Sequence, residues 1–133
     1  MKISKRLEWL YPYLDAVEDV IPRFKKMESI RTIRSSKTKR DRTMGELCLE
    51  NGTYTLKLRA QYQHLTFGSK LSKVDVKLCK LSKIDILCTL AHELAHMYHW
   101  DHTPEHKLLE CQLLTIFMYK LKSLGYISEE ESE

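Results

Sequence analysis

Five residues, His92-Glu93-Leu94-Ala95-His96, restrict this chain more than any other stretch, because one backbone conformation satisfies their joint chemistry. On an α-helix, positions i and i+4 share a face and lie about 6 Å apart along the axis. Both imidazoles can then aim at one metal ion about 2.0–2.1 Å from each. Glu93 falls beside that ion, turned about 100° around the helix, where a carboxylate suits proton transfer better than ligation. His102 adds a second demand. An unbroken helix would turn it about 240° from His96, so it joins the other two only if the helix stops between them. Thr103-Pro104 favours that stop, with Thr as the cap and Pro at the first position of a new helix.

The expected centre is therefore one Zn2+ per chain held by His92, His96 and His102, with Glu93 as the catalytic base. His99 shares the face of His92, but seven helical residues separate the two by about 10.5 Å, too far for one ion. A structural zinc usually closes with four protein ligands, often thiolates, and no cysteine lies near this segment in sequence. Cys48, Cys79, Cys88 and Cys111 form no Cys-x-x-Cys pair and read as free thiols, three of them in apolar company that would bury them. His64 is isolated and reads as structural or exposed.

The remaining pattern predicts an α+β domain around that helix. Leu7, Leu10, Tyr11, Leu14, Val17, Val20 and Ile21 recur at spacings of three and four, predicting an N-terminal helix from Leu7 to about Met27, with Pro12 and Pro22 near its ends. Residues 28–34 read as a strand, and the polar stretch Ser35 to Thr43 as a loop. Two β-favouring runs flank Asn51-Gly52, the dipeptide that best tolerates positive φ at both turn positions, which predicts a hairpin. Val74, Val76 and Leu78 alternate with polar residues and suggest an edge strand, free to pair with an extended substrate. Ser82 and Asp85 resemble a capping box that opens the metal-bearing helix near Lys83. A C-terminal helix follows over 105–124, with Gly125 ending it. The expected sheet is small and mostly antiparallel, in a single domain over residues 1–133. A basic loop region spans 23–44, and an acidic tail, 128–133, need not be ordered.

Charge is uneven. Residues 1–91 carry 19 Lys/Arg against 10 Asp/Glu, and residues 92–133 carry 3 against 8. The densest basic run, Arg23 to Arg42, has the composition of either a phosphate-contacting segment or a solvated loop, so nucleic acid is one candidate partner. Glu8 and Asp15 interrupt the first apolar stretch, and no run is long enough to span a bilayer. The expectation is an intracellular protein without membrane contact.

The segment His92 to His106 resembles the SprT-like, WLM and YgjP-like zinc metallopeptidases, in which His-Glu-x-x-His is followed after five residues by a third histidine. The upstream order of helix, hairpin, edge strand and metal helix is also similar, over roughly residues 45–124. The resemblance implies a zincin-like fold and hydrolysis of a polypeptide substrate by zinc-activated water. His106 stands where those families commonly have Phe, so it has either replaced a packing ring or entered the site. Glu110, on the helix after the motif, resembles the third ligand of gluzincins and is an alternative to His102, or else a second-shell carboxylate. Trp100-Asp101-His102 is also similar to the end of the motif in YbeY-like endoribonucleases, but those have Gly where this chain has Glu93. A metal-dependent nuclease and a catalytically silent metal-bound binding protein are the two alternatives to a peptidase.

Overall fold

A computed structural model describes residues 1–68 and 73–126; the acidic tail at 128–133 lies outside the described residues. Strands β1 (Lys2–Ile3), β2 (Met27–Ile33), β3 (Gly45–Glu50) and β4 (Thr53–Arg59) form one sheet in the order β1-β2-β4-β3. Helices α1 (Tyr11–Val17), α2 (Lys83–Ala95) and α3 (Pro104–Ser123) share one hydrophobic core with the sheet. Strand β4 shows why the core lies where it does: Tyr54, Leu56 and Leu58 alternate inward while Lys57 faces solvent. They meet Leu87, Leu90 and Leu94 of α2 and Leu113 and Phe117 of α3 within that core. Each such aliphatic or aromatic side chain stabilises the fold by about 1.5–3 kcal/mol relative to exposure.

The α+β class stands, but the sheet is mixed and not mostly antiparallel. Strand β1 pairs parallel with β2, and β2 parallel with β4; only β3 runs antiparallel. Parallel neighbours need a crossover, and the helical segment between β1 and β2 provides one. That segment is also more broken than its apolar spacing predicts. A 3₁₀ turn over Lys5–Leu10 leads into α1, which ends at Val17, and a second 3₁₀ turn covers Pro22–Lys26. Proline has no N–H to donate, so Pro22 is placed at the start of a new turn and not inside a continuing helix.

Asn51 and Gly52 adopt φ of 52° and 79°, making the tight connection between β3 and β4 that their sequence predicts. Strand β5 (Gln61–Phe67) was not evident from the sequence; it pairs antiparallel with β6 (Val74–Lys80) in a separate two-stranded sheet. Val74, Val76 and Leu78 thus lie on a strand, as expected, but one whose partner is β5 and not the main sheet. The cysteines depart from expectation. Cys48, Cys88 and Cys111 are exposed and Cys79 is half-buried, all four as free thiols. In α2 the buried apolar positions are Ile86, Leu87, Leu90, Ala91, Leu94 and Ala95, a phase that turns Cys88 outward. No helix among the described residues is long and apolar enough to cross a membrane.

Candidate metal centre

Helix α2 begins as its sequence predicts, with the Ser82 hydroxyl accepting a hydrogen bond from the Asp85 amide at 3.1 Å. Its end matters more for the site. After Ala95 the chain tightens into successive i to i+3 bonds, with the amides of His96, Met97 and Tyr98 donating to the carbonyls of Glu93, Leu94 and Ala95. Arg23 secures that end: its Nη1 donates to the Met97 carbonyl at 2.6 Å, and its guanidinium lies 4.5 Å above the Tyr98 ring. Thr103 then caps α3, its hydroxyl accepting from the His106 amide at 3.2 Å, with Pro104 following. The interruption between α2 and α3 lets His102 return towards α2.

Four histidines converge there. His92, His96 and His106 each offer a ring nitrogen, and these atoms lie within 4.8 Å of one another, a group that can hold a metal ion. The Nε2 atoms of His96 and His102 each lie 3.2 Å from Nε2 of His92. Tetrahedral ligands with bonds of about 2.0–2.1 Å stand roughly 3.3–3.4 Å apart, so this spacing matches the separation a zinc ion imposes on its ligands.

Hydrogen bonds on the far nitrogens determine which lone pairs are available. Nδ1 of His92 donates to the Glu110 carboxylate, and Nδ1 of His96 donates to the His99 carbonyl at 3.0 Å, which leaves both Nε2 atoms free. His106 differs, because its Nε2 donates to the His92 carbonyl at 3.1 Å. It is 2% exposed, and burial pushes its pKa below the usual imidazole value, so the ring is neutral near neutral pH. Burial pushes the Glu110 carboxyl upward, but its hydrogen bond to His92, the charge of His92 and Lys107 outweigh that effect and hold it below the usual value. Glu110 thus holds the His92 ring through its far nitrogen, fixing the ring's orientation and tautomer.

Glu93 is 9% exposed and lies against the start of β3, one position around the helix from His92. Burial raises its pKa, more than the neighbouring His96 and His92 lower it. Gly45 makes room for it. A Cβ there would lie 2.8 Å from Glu93 Cγ and 2.7 Å from Thr89 Cγ2. The Gly45 backbone has no left-handed φ, so this glycine answers a close approach and not a turn. Sequence reasoning did not single out Gly45, although a glycine opening a strand away from any turn dipeptide is the available signal. It also missed Arg23 as the stop of α2. His64 is exposed on β5, away from the cluster.

Strand β3 is the edge of the main sheet, and it is the edge strand beside Glu93. Strand β6, which carries Val74, Val76 and Leu78, makes its strand pairing with β5. Comparison with protein families, with curated proteins and with solved structures finds no match to this chain.

Proposed function

We propose that this chain is a zinc-dependent peptidase in which His92, His96 and His102 hold the ion and Glu93 acts as general base. The observation that carries the reading is that the Nε2 atoms of His96 and His102 each lie 3.2 Å from that of His92, with the buried carboxylate of Glu93 nearby. His102 is preferred to His106 as third ligand because its Nε2 lies 3.2 Å from that of His92, whereas His106, whose Nε2 donates to the His92 carbonyl, has only Nδ1 left to offer. The resemblance of the motif to SprT-like, WLM and YgjP-like metallopeptidases points the same way, and the carboxylate at position 93 favours a peptidase over a nuclease.

Zinc held there supplies Lewis acidity, acidifying water and polarising a peptide carbonyl. Glu93 takes the proton from water on one carboxylate oxygen and returns it to the leaving amine. Its burial favours that role, since a carboxyl with a raised pKa is a stronger base. Glu110 and the His99 carbonyl keep the two helical imidazoles in the ligating tautomer. An extended substrate is assigned to the open edge of β3, next to Glu93, in preference to Val74, Val76 and Leu78 on β6.

The test is Glu93→Gln, which keeps the shape and removes the base. Zinc content measured by mass spectrometry of the native protein should stay near one per chain, while cleavage of an unfolded casein substrate should fall about 10²–10⁴-fold. Loss of zinc with activity, or equal cleavage by parent and variant, would remove Glu93 from the mechanism. Metal-dependent RNA cleavage that survives the substitution would favour the nuclease reading.

A further inference from the structure

A cavity of about 560 Å³ opens where the 34–44 loop enters β3, lined by Arg34, Lys39, Arg40, Arg42, Arg59 and Tyr62. Asp41 is the one carboxylate in its wall, against five cationic side chains. Arg59 is 6% exposed, an unusual burial for a guanidinium, and two of its nitrogens are fixed: Nε donates to the Thr43 carbonyl at 2.7 Å and Nη1 to the Ser35 hydroxyl at 2.8 Å. Its Nη2 is buried without a hydrogen-bond partner. The exposed Asp41 carboxylate forms an ion pair with it at 3.1 Å. That exposed pairing is weakly held, and a carboxylate reaching Nη2 with better geometry can take the place of Asp41.

The cavity adjoins the candidate centre through two residues. Met44 lies in its wall and accepts a hydrogen bond from the Arg59 amide at 2.8 Å; the next residue, Gly45, abuts Glu93. Adjacent strand residues are about 3.3 Å apart, so a chain lying along β3 reaches the cavity within one or two residues of Glu93. Two other cations of the basic run are engaged elsewhere. Arg23 is engaged with Met97 and Tyr98, and Arg31 lines a different cavity with Lys2, Ile3 and Ser4. A nucleic-acid backbone is followed by a continuous track of cations, whereas this is one concave pocket around one buried guanidinium.

We infer that this cavity is a specificity subsite for one carboxylate of a polypeptide, either an acidic side chain or a free C-terminus, placed within a residue or two of the bond opposite Glu93. The inference rests on the peptidase reading for its substrate class. Asp41, half-exposed and already resting on Arg59, shows that a carboxylate fits beside the guanidinium, and it acts as an internal competitor for the same charge.

The experiment measures binding apart from turnover. Fluorescein-labelled octapeptides carrying Glu or Gln at one internal position, each with a C-terminal acid or amide, are titrated by anisotropy against full-length, zinc-loaded Glu93→Gln protein. A peptide with the recognised carboxylate should bind about tenfold or more tightly than its uncharged counterpart, as expected for charge-assisted hydrogen bonds. The internal and terminal arms identify which carboxylate is read. The exposed pair Arg40→Gln/Arg42→Gln, less disruptive than replacing buried Arg59, should erase most of the preference, and Asp41→Asn should tighten binding about two- to fivefold. Equal affinity for charged and uncharged peptides, or a preference unchanged in the Arg40/Arg42 variant, would overturn the subsite. So would a single-stranded oligonucleotide that displaces the peptides with a steep salt dependence. Carboxylate-dependent binding by a parent protein that cleaves none of these peptides or casein would support the subsite and count against the peptidase. Casein and peptide cleavage without any carboxylate preference would do the reverse.

Discussion

At the scale of the residue, the candidate centre assigns different work to chemically similar groups through their hydrogen bonds. His102 and His106 are both histidines near His92, yet one presents Nε2 to the His92 Nε2 and the other spends it on a carbonyl. Zinc affinity, measured by competition with a chromophoric chelator, should therefore separate them. Glu110→Gln should weaken binding about 10–100-fold, as losing the hydrogen-bond partner that orients a ligating histidine does. His102→Ala should weaken it more than that, and His106→Phe less. The reverse order for the two histidines would make His106 the third ligand. Glu93 also has a pH signature in the metal-free protein. Burial raises its pKa in the folded state, so the folded chain keeps a proton that the unfolded chain has released. Stability from this group is present below the unfolded value of 4.5 and falls as pH rises through the folded value. Metal-free Glu93→Gln escapes that loss. It should melt above the metal-free parent at about pH 7, with the gap closing near about pH 4; a gap that widens towards acid would contradict the sign.

Among the elements, β3 and α2 meet at a point that only glycine allows. Gly45→Ala places a Cβ within 3 Å of atoms of both Thr89 and Glu93, so the carboxylate must move. Thr89 is β-branched and held in its helix, its hydroxyl donating to the Asp85 carbonyl, and so yields less readily than the longer Glu93. The expected outcome is full zinc occupancy with casein hydrolysis lowered about 10²-fold, as a misplacement of about 1 Å can cause. Unchanged activity would mean that Glu93 does not need its position against β3. The two-stranded sheet of β5 and β6 stands apart from this arrangement. Its faces leave Leu65, Phe67 and Val74 exposed, and the apolar alternation over 74–78 correctly indicated a strand yet placed it at the edge of the main sheet. Alternation reports that one face differs from the other, and not which sheet the strand joins.

For the whole molecule, the candidate ligands tie together α2, the connection after it and, through Glu110 and His106, α3. An ion bound there should stabilise the folded state as any ligand specific to it does, by about 2.7 kcal/mol at a hundredfold excess over Kd. Addition of zinc to the metal-free protein should raise Tm measured by calorimetry, and a chelator should reverse the rise; no shift with His92→Ala would fit the same site, whereas an undiminished shift would place the ion elsewhere. Much of this architecture is local and was legible in the chain. The hairpin turn at Asn51-Gly52, the caps at Ser82 and Thr103, and the break between α2 and α3 follow from backbone chemistry within a few residues. The pairing of His92 with His96 follows from helical pitch alone. What sequence by itself left open depends on contacts between distant residues. The parallel pairing of β2 with β4, the fit of Gly45 against Glu93, Arg23 on the end of α2 and the buried Arg59 beside the 34–44 loop each join segments far apart in the chain. Periodicity and spacing describe a residue's own element, whereas these features depend on which elements pack together, and that was decided by the tertiary structure.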